Sequence, residues 1–120
     1  MSIRVDVYLV LNRNITLELN SSAVDGAWLI APPAEISYSK EGVGDVGSPP
    51  PVRWGTESSG SETGGSVTYR IKGAPVGSTM VNMVWNSNSK GTTCSITGPS
   101  SFTLIGEPKD SPPSVTFTIG

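Results

Sequence analysis

The feature that most constrains this chain is that its apolar residues recur at every second position, in short runs separated by Gly, Pro and Asn. The first run gives the pattern in full and would place on one face of a strand Ile3, Val5, Val7, Leu9 and Leu11. Such alternation is typical of a half-buried β-strand, and no stretch carries the roughly 3.6-residue apolar repeat of an amphipathic helix over three turns. The sequence therefore predicts an all-β protein.

Composition and turn residues narrow the fold further. Val and Ile together number twenty, against eleven for Leu plus Ala, and β-branched side chains suit a pleated strand better than a helix. Gly and Pro interrupt the chain about every 8–12 residues, which is the spacing of an all-β sandwich. A length of 120 residues is enough for one hydrophobic core. We predict a single domain, residues 1–120, folded as a β-sandwich of about ten short, mostly antiparallel strands.

Three segments receive more specific predictions. The Asn-Arg-Asn sequence at 12–14 predicts a hairpin that joins the first strand to a second strand at 15–19. Residues 79–85 are apolar on nearly both faces, which predicts a strand in the middle of a sheet. Residues 42–51 are rich in Gly and Pro and are expected to form an irregular loop. No internal repeat divides the chain, so one domain accounts for all of it.

The single cysteine, Cys94, is interpreted as a core residue. It lies in a strand predicted at 92–97, whose inward face would bury Cys94 and Ile96, and a further strand is predicted at 102–105. A buried cysteine behaves as a small hydrophobic residue. Because the chain has no second cysteine, it forms no internal disulfide, and the fold must depend on its core.

The residue inventory excludes most catalytic chemistry. The chain contains no histidine, which rules out a serine or cysteine triad of the usual kind and a histidine-ligated metal. Its acidic residues are scattered, without a pair at catalytic spacing. The net charge of −2 argues against nucleic acid, because phosphate binding needs a basic surface. We therefore predict a non-enzymatic protein without catalytic residues, metal, cofactor or nucleic-acid partner.

The candidate binding residues gather where the 79–85 strand ends. Trp85 precedes a polar turn that contains Asn86, Asn88 and Lys90. Such a group can hold a sugar or a lipid headgroup, because a ring face binds C–H groups or a quaternary ammonium while polar groups fix the orientation. The predicted ligand-binding set is Trp85, Asn86, Asn88, Lys90, Tyr69 and Trp54. The alternative is that the rings only pack against the core.

Three stretches of the chain resemble actinoporin-like proteins. They are residues 32–39, the Thr-Gly-Gly-Ser-Val-Thr-Tyr-Arg-Ile sequence at 63–71, and the Met-Val-Asn-Met-Val-Trp-Asn sequence at 80–86 followed by Gly91. This group of small β-sandwich cytolysins and lipid binders includes the sea-anemone cytolysins and the aegerolysins, and the aegerolysins are more similar to this short, acidic chain. The resemblance spans residues 3–95 and implies a β-sandwich that binds membrane lipid.

The chain differs from the actinoporin-like proteins in two ways that change what the resemblance implies. The turn at 86–91 lacks the proline and aromatic residues that the group carries there, and no segment before the first strand could form the pore-inserting helix of the anemone proteins. The resemblance therefore implies lipid recognition without autonomous pore formation. Lysis would then require a second, larger pore-forming partner protein, as in aegerolysin systems.

These observations lead to one functional prediction and two alternatives. We predict a protein that binds a sphingolipid headgroup at the surface of a target membrane. The first alternative is a lectin-like protein that binds a glycan through the same residues, and the second is a structural protein that forms homo-oligomers through an edge strand. The N-terminus has no signal-peptide pattern, so a cytoplasmic or non-classically secreted protein with peripheral membrane association is expected.

Overall fold

Ten β-strands follow one another in the residues that the structure, a computed structural model, describes: 3–38, 52–73 and 80–120. They are β1 (Ile3–Leu11), β2 (Ile15–Asp25), β3 (Ala27–Ile30), β4 (Glu35–Tyr38), β5 (Val52–Ser58), β6 (Thr63–Ile71), β7 (Met80–Asn88), β8 (Gly91–Thr97), β9 (Leu104–Asp110) and β10 (Pro113–Ile119). No helix occurs in these ranges. The prediction of an all-β fold with about ten strands is confirmed.

The strands form two five-stranded sheets that pack as a sandwich. One sheet has the order β3-β5-β1-β10-β9, and the other has the order β4-β2-β6-β7-β8. β1 and β10 run parallel, whereas every other pairing among the described strands is antiparallel. The chain changes sheet at each connection from β1 to β6, so distant segments become neighbours.

The core lies between the sheets and is built from the alternating positions that the sequence predicts. In β1, the residues Val5, Val7 and Leu9 are fully buried, and Leu11 is nearly so. The largest fully buried side chains come from several strands and are Trp54, Trp85, Tyr69, Phe117, Leu9 and Leu17. Each such side chain contributes about 1.5–3 kcal/mol on burial, which makes this core the main source of stability.

The predicted hairpin at 12–14 is wrong. β1 belongs to one sheet and β2 to the other, so the turn carries the chain across the sandwich instead of pairing the two strands. The backbone N–H of Asn12 donates to the carbonyl of Ile119 at 2.8 Å, which ties this crossing to the end of β10. Alternation identifies the buried face of a strand but says nothing of its partner, because both strands bury a face in either arrangement.

The interior position of the strand predicted at 79–85 is confirmed from Met80 onward. β7 lies between β6 and β8, although its second apolar face is open, with Met80 and Val84 about two-fifths exposed. The predictions for residue 79 and for the loop at 42–51 fall outside the described residues.

The last part of the chain differs from the prediction at the edge strands of the two sheets. The strand predicted at 102–105 is instead β9, Leu104–Asp110, which contains Pro108. Proline is tolerated there because β9 is the edge strand of its sheet. In β8 the predicted inward pair, Cys94 and Ile96, is only half-buried, since β8 is the edge of the other sheet.

Within residues 3–38, 52–73 and 80–120, no helix is long and apolar enough to cross a membrane.

Candidate functional site

Strand register brings two polar segments together at one end of the sandwich. β6 begins at Thr63 opposite Ser87 of β7, and β7 continues to Asn88, which pairs with Gly91 of β8. The β5–β6 connection therefore lies beside the β7–β8 turn. We call residues 61–62 and 86–90 together the rim.

Close backbone packing at Gly64 and Gly65 explains the glycine pair that precedes the β6 alternation. A side chain on Gly64 would collide with the carbonyl oxygen of Trp85, and its Cβ would lie 2.9 Å from the Cα of Asn86. A Cβ on Gly65 would lie 2.5 Å from the carbonyl oxygen of Ala23 and 3.0 Å from the Trp85 ring. The absence of side chains thus lets β6 approach β7 and β2 where the rim begins.

Asn88 organises the rim through its side-chain amide. Its Nδ2 donates to Oε2 of Glu62 at 3.1 Å and lies 3.2 Å from Oδ1 of Asn86, which accepts a second hydrogen bond. Its Oδ1 accepts a hydrogen bond from the backbone N–H of Lys90 at 2.8 Å. One side chain therefore holds the loop that carries Glu62 against the turn that carries Lys90.

The rim encloses a shallow depression of about 360 Å³ whose lining is polar. It is lined by Ser61, Glu62, Asn88, Ser89 and Lys90. In the described part of the chain, neither the carboxylate of Glu62 nor the ammonium of Lys90 takes part in an ion pair. A ligand would therefore meet two opposite charges, two hydroxyls and an amide in one place.

The aromatic part of the predicted site is wrong. Trp85 is 1% exposed, and Trp54 and Tyr69 are completely buried, so none of them presents a ring face to a ligand. Trp85 shares the inward face of β7 with Val81 and Met83, which places its ring between the sheets.

The three buried rings are held by the core. Nε1 of Trp85 donates to Oγ1 of Thr56 at 3.2 Å, and the hydroxyl of Tyr69 donates to the carbonyl of Pro33 at 2.8 Å. Burial raises the pKa of Tyr69 well above its ordinary value. Within the described residues Nε1 of Trp54 has no hydrogen-bond partner, and the Trp54 ring instead packs against the rings of Tyr69 and Trp85.

The remaining predicted residues do meet at one place. The structure places Asn86, Asn88 and Lys90 together in the rim through the hydrogen bonds of Asn88. It adds Glu62, which the sequence analysis did not include in the predicted site. Glu62 directly precedes the Thr-Gly-Gly start of β6, and that position beside a close strand approach was the available signal.

Cys94 is not part of the rim. It is half-buried between β8 and β9, where a Cβ on Gly106 would lie 3.1 Å from its Sγ. Burial raises the pKa of the Cys94 thiol, and the negative charge of Glu107 raises it further. Across the described ranges, no group of three or more acidic, cysteine or histidine side chains could hold a metal ion.

Fold and rim together define the class: a two-sheet β-sandwich with an open, charged surface at one end. Comparison with protein-family models, curated proteins and solved structures gives no match.

Proposed function

We propose that this protein is a non-enzymatic module that binds the zwitterionic headgroup of a sphingolipid through the rim. The observation that carries the proposal is that Glu62 and Lys90 line one depression without pairing with any described charge. A headgroup with an amine and a phosphate offers the complementary pair, the amine to Glu62 and the phosphate to Lys90. Charge-assisted hydrogen bonds of this kind are about twice as strong as neutral ones.

Because Trp85, Trp54 and Tyr69 are buried, they cannot contact a headgroup, and this affects which headgroup the rim can bind. A quaternary ammonium is recognised by aromatic faces, and among the described residues the rim presents none, since Trp85 lies in the core. A primary ammonium is instead recognised by a carboxylate and by amide or hydroxyl oxygens, all of which the rim contains. This supports a phosphoethanolamine headgroup over a phosphocholine headgroup.

The resemblance to aegerolysins adds a partner to the proposal. In such a system this protein would be the recognition component at the membrane surface, and a larger protein would form the pore. The rim supplies groups for binding and orientation, which are what recognition requires.

Binding to vesicles of defined composition tests the proposal. The vesicles contain phosphatidylcholine alone, or phosphatidylcholine with either sphingomyelin or ceramide phosphoethanolamine. We expect strong binding to ceramide phosphoethanolamine and weak binding to the other two vesicles, because phosphatidylcholine and sphingomyelin share the phosphocholine headgroup that the rim disfavours. Lys90→Ala, Glu62→Gln and Asn88→Ala should each weaken the binding to ceramide phosphoethanolamine roughly tenfold, as expected for one charge-assisted hydrogen bond.

Lys72→Ala is the matched control, because Lys72 is exposed just beyond the opposite end of β6. It should bind like the parent protein. Rim variants that fold and bind as the parent does would contradict the assignment of the site. A parent protein that binds none of the vesicles would contradict the lipid function itself.

A lectin-like function is the second candidate, and a specific feature favours it. Ser61, Ser89, Asn88 and Glu62 supply hydroxyl, amide and carboxylate oxygens that can hydrogen-bond to the hydroxyls of a sugar. A glycan array tests this directly. Glycan binding that Asn88→Ala abolishes, together with no binding to sphingolipid vesicles, would support the lectin and reject the lipid proposal.

A further inference from the structure

A second depression lies at the same end of the sandwich, on the other side of the β5–β6 connection. Its volume is about 350 Å³, close to that of the rim depression. It is lined by Gly26, Ala27, Glu57, Ser58 and Ser59. Ser59 borders this depression and Ser61 borders the rim, so a short loop separates the two.

The corner between β2 and β3 forms one wall of this second depression. Gly26 has a φ of +103°, and a side chain there would collide with the carbonyl oxygen of Glu57. Oγ1 of Thr63 donates to the carbonyl of Asp25 at 2.8 Å, which fixes the corner to the start of β6. This corner is therefore fixed by the fold, and the small side chain of Ala27 leaves the depression open.

A carboxylate, that of Glu57, lines the second depression, and strand pairing places the cation of Arg4 next to it. Glu57 is opposite Arg4 of β1 on one side and opposite Ala27 of β3 on the other. Directly opposed residues share a face of the sheet, with Cβ atoms about 4.5–5.5 Å apart. Within the described residues Glu57 forms no ion pair. Arg4 borders the depression without lining it, and it forms a long ion pair with Asp6 at 3.7 Å while its side chain stays 58% exposed.

We propose that this depression is a second binding site for the same zwitterionic headgroup, with Glu57 accepting the amine and Arg4 meeting the phosphate. The inference rests on the proposed function and extends it from one headgroup to two. Both sites lie at one end of a rigid sandwich, so one molecule engages two lipids of the same leaflet. After the first headgroup binds, the second binds at the high effective concentration that tethering provides.

Two linked sites should be recognisable from how binding depends on the mole fraction of the lipid in the membrane. Binding by one site rises in proportion to the mole fraction of the lipid, whereas simultaneous binding by two sites rises with about its square at low fraction. Linked sites typically gain roughly 10²–10⁴-fold in apparent affinity over one site. The protein would thus distinguish membranes rich in the lipid from membranes that contain traces of it.

The experiment measures binding to phosphatidylcholine vesicles that contain increasing fractions of ceramide phosphoethanolamine. Glu57→Gln removes the proposed amine acceptor, and Ala27→Leu fills the depression from an exposed position. We expect the parent to follow nearly the square of the lipid fraction and both variants to follow the first power. At high lipid fraction the variants should bind about 100-fold more weakly, the lower end of the gain from two sites.

Glu35→Gln and Ala31→Leu are the matched controls, since both positions are exposed and neither lines the depression. They should keep the parent's dependence on lipid fraction. A parent with first-power dependence, or unchanged behaviour of both Glu57→Gln and Ala27→Leu, overturns the second site. If Lys90→Ala still weakens binding in the same assay, the proposed function stands without the second site, whereas a parent that never binds overturns both proposals.

Discussion

At the scale of single residues, Trp85 occupies the middle of a row of four aromatic rings. Its ring centroid lies 6.0 Å from that of Trp28 and 6.1 Å from that of Trp54, and Trp54 lies 6.2 Å from Tyr69. Tilted ring pairs at these distances contribute about 0.5–1.5 kcal/mol each beyond the burial of their area. The row joins the two sheets, because Trp28 and Trp54 come from one sheet and Trp85 and Tyr69 from the other.

Replacing Trp85 therefore tests the core. Trp85→Ala should lower the free energy of unfolding by about 3–5 kcal/mol, since it removes a buried ring and leaves a cavity. Urea unfolding measures this, and Trp28→Ala is the matched comparison, with a smaller cost expected because Trp28 is only half-buried. If Trp85→Ala keeps parental stability and loses only ligand binding, the core role assigned to this ring is wrong.

Cys94 provides a second prediction at this scale. The raised pKa of its thiol determines in which direction the labelling rate should change. Only the thiolate reacts, so burial and the charge of Glu107 both reduce the reactive fraction at neutral pH. Labelling of the native protein should be slow at neutral pH and should accelerate only as the pH passes above the usual thiol range. Glu107→Gln should speed labelling at a given pH, whereas Glu35→Gln should leave the rate unchanged. Rapid labelling of the native parent at neutral pH would contradict this.

At the scale of elements, the start of β6 depends on backbone approach as much as on side chains. Gly64→Ala should destabilise the protein by about 1–3 kcal/mol, because the new methyl group meets the backbone of Trp85 and Asn86, which cannot move as a side chain can. Gly60→Ala is the control: its nearest neighbour would be the Oγ of Ser58 at 3.5 Å, an ordinary contact. A change within about 0.5 kcal/mol is expected there. Equal unfolding free energies of the two variants would refute the role given to Gly64.

The elements also separate what sequence patterns can predict from what they cannot. Alternation depends on neighbouring positions, so it identified the inward face of β1 correctly. Pairing depends on distant segments, so the crossing after β1 was mistaken for a hairpin. The polar β9 was missed because the ladder to β10, not its own side chains, makes it a strand.

The candidate site likewise contains residues that a local sequence pattern can group and one residue that only strand pairing brings to them. Asn86, Asn88 and Lys90 are close in sequence, and a local pattern was enough to group them. Glu62 joins them only through the register of β6 against β7, which no single segment encodes. The aromatic prediction failed because Trp85 stands at the end of the apolar alternation, and only the packing of the opposite sheet decides that such a position is buried.

At the scale of the whole molecule, the distribution of charge leads to the last prediction. The chain carries eight basic and ten acidic residues, a net charge of −2. The rim depression is lined by one carboxylate and one cation, and Glu57 of the second depression is opposite Arg4 in the neighbouring strand. The protein as a whole therefore has no long-range attraction to an anionic membrane, and its contacts with a zwitterionic headgroup are short-range pairs that salt screens weakly.

Raising the salt concentration from about 0.05 M to about 0.5 M should change the affinity for ceramide phosphoethanolamine vesicles less than about threefold. Charges in hydrogen-bond contact are about 3 Å apart, which is still shorter than the screening length of about 4 Å at the higher concentration. Vesicles that contain phosphatidylserine without a sphingolipid serve as the control, and we expect no binding to them at either salt concentration. Sedimentation of the protein with the vesicles measures both affinities. Binding that falls steeply with salt, or that follows phosphatidylserine, would mean that a basic surface drives association and that the paired charges of the rim do not recognise the headgroup.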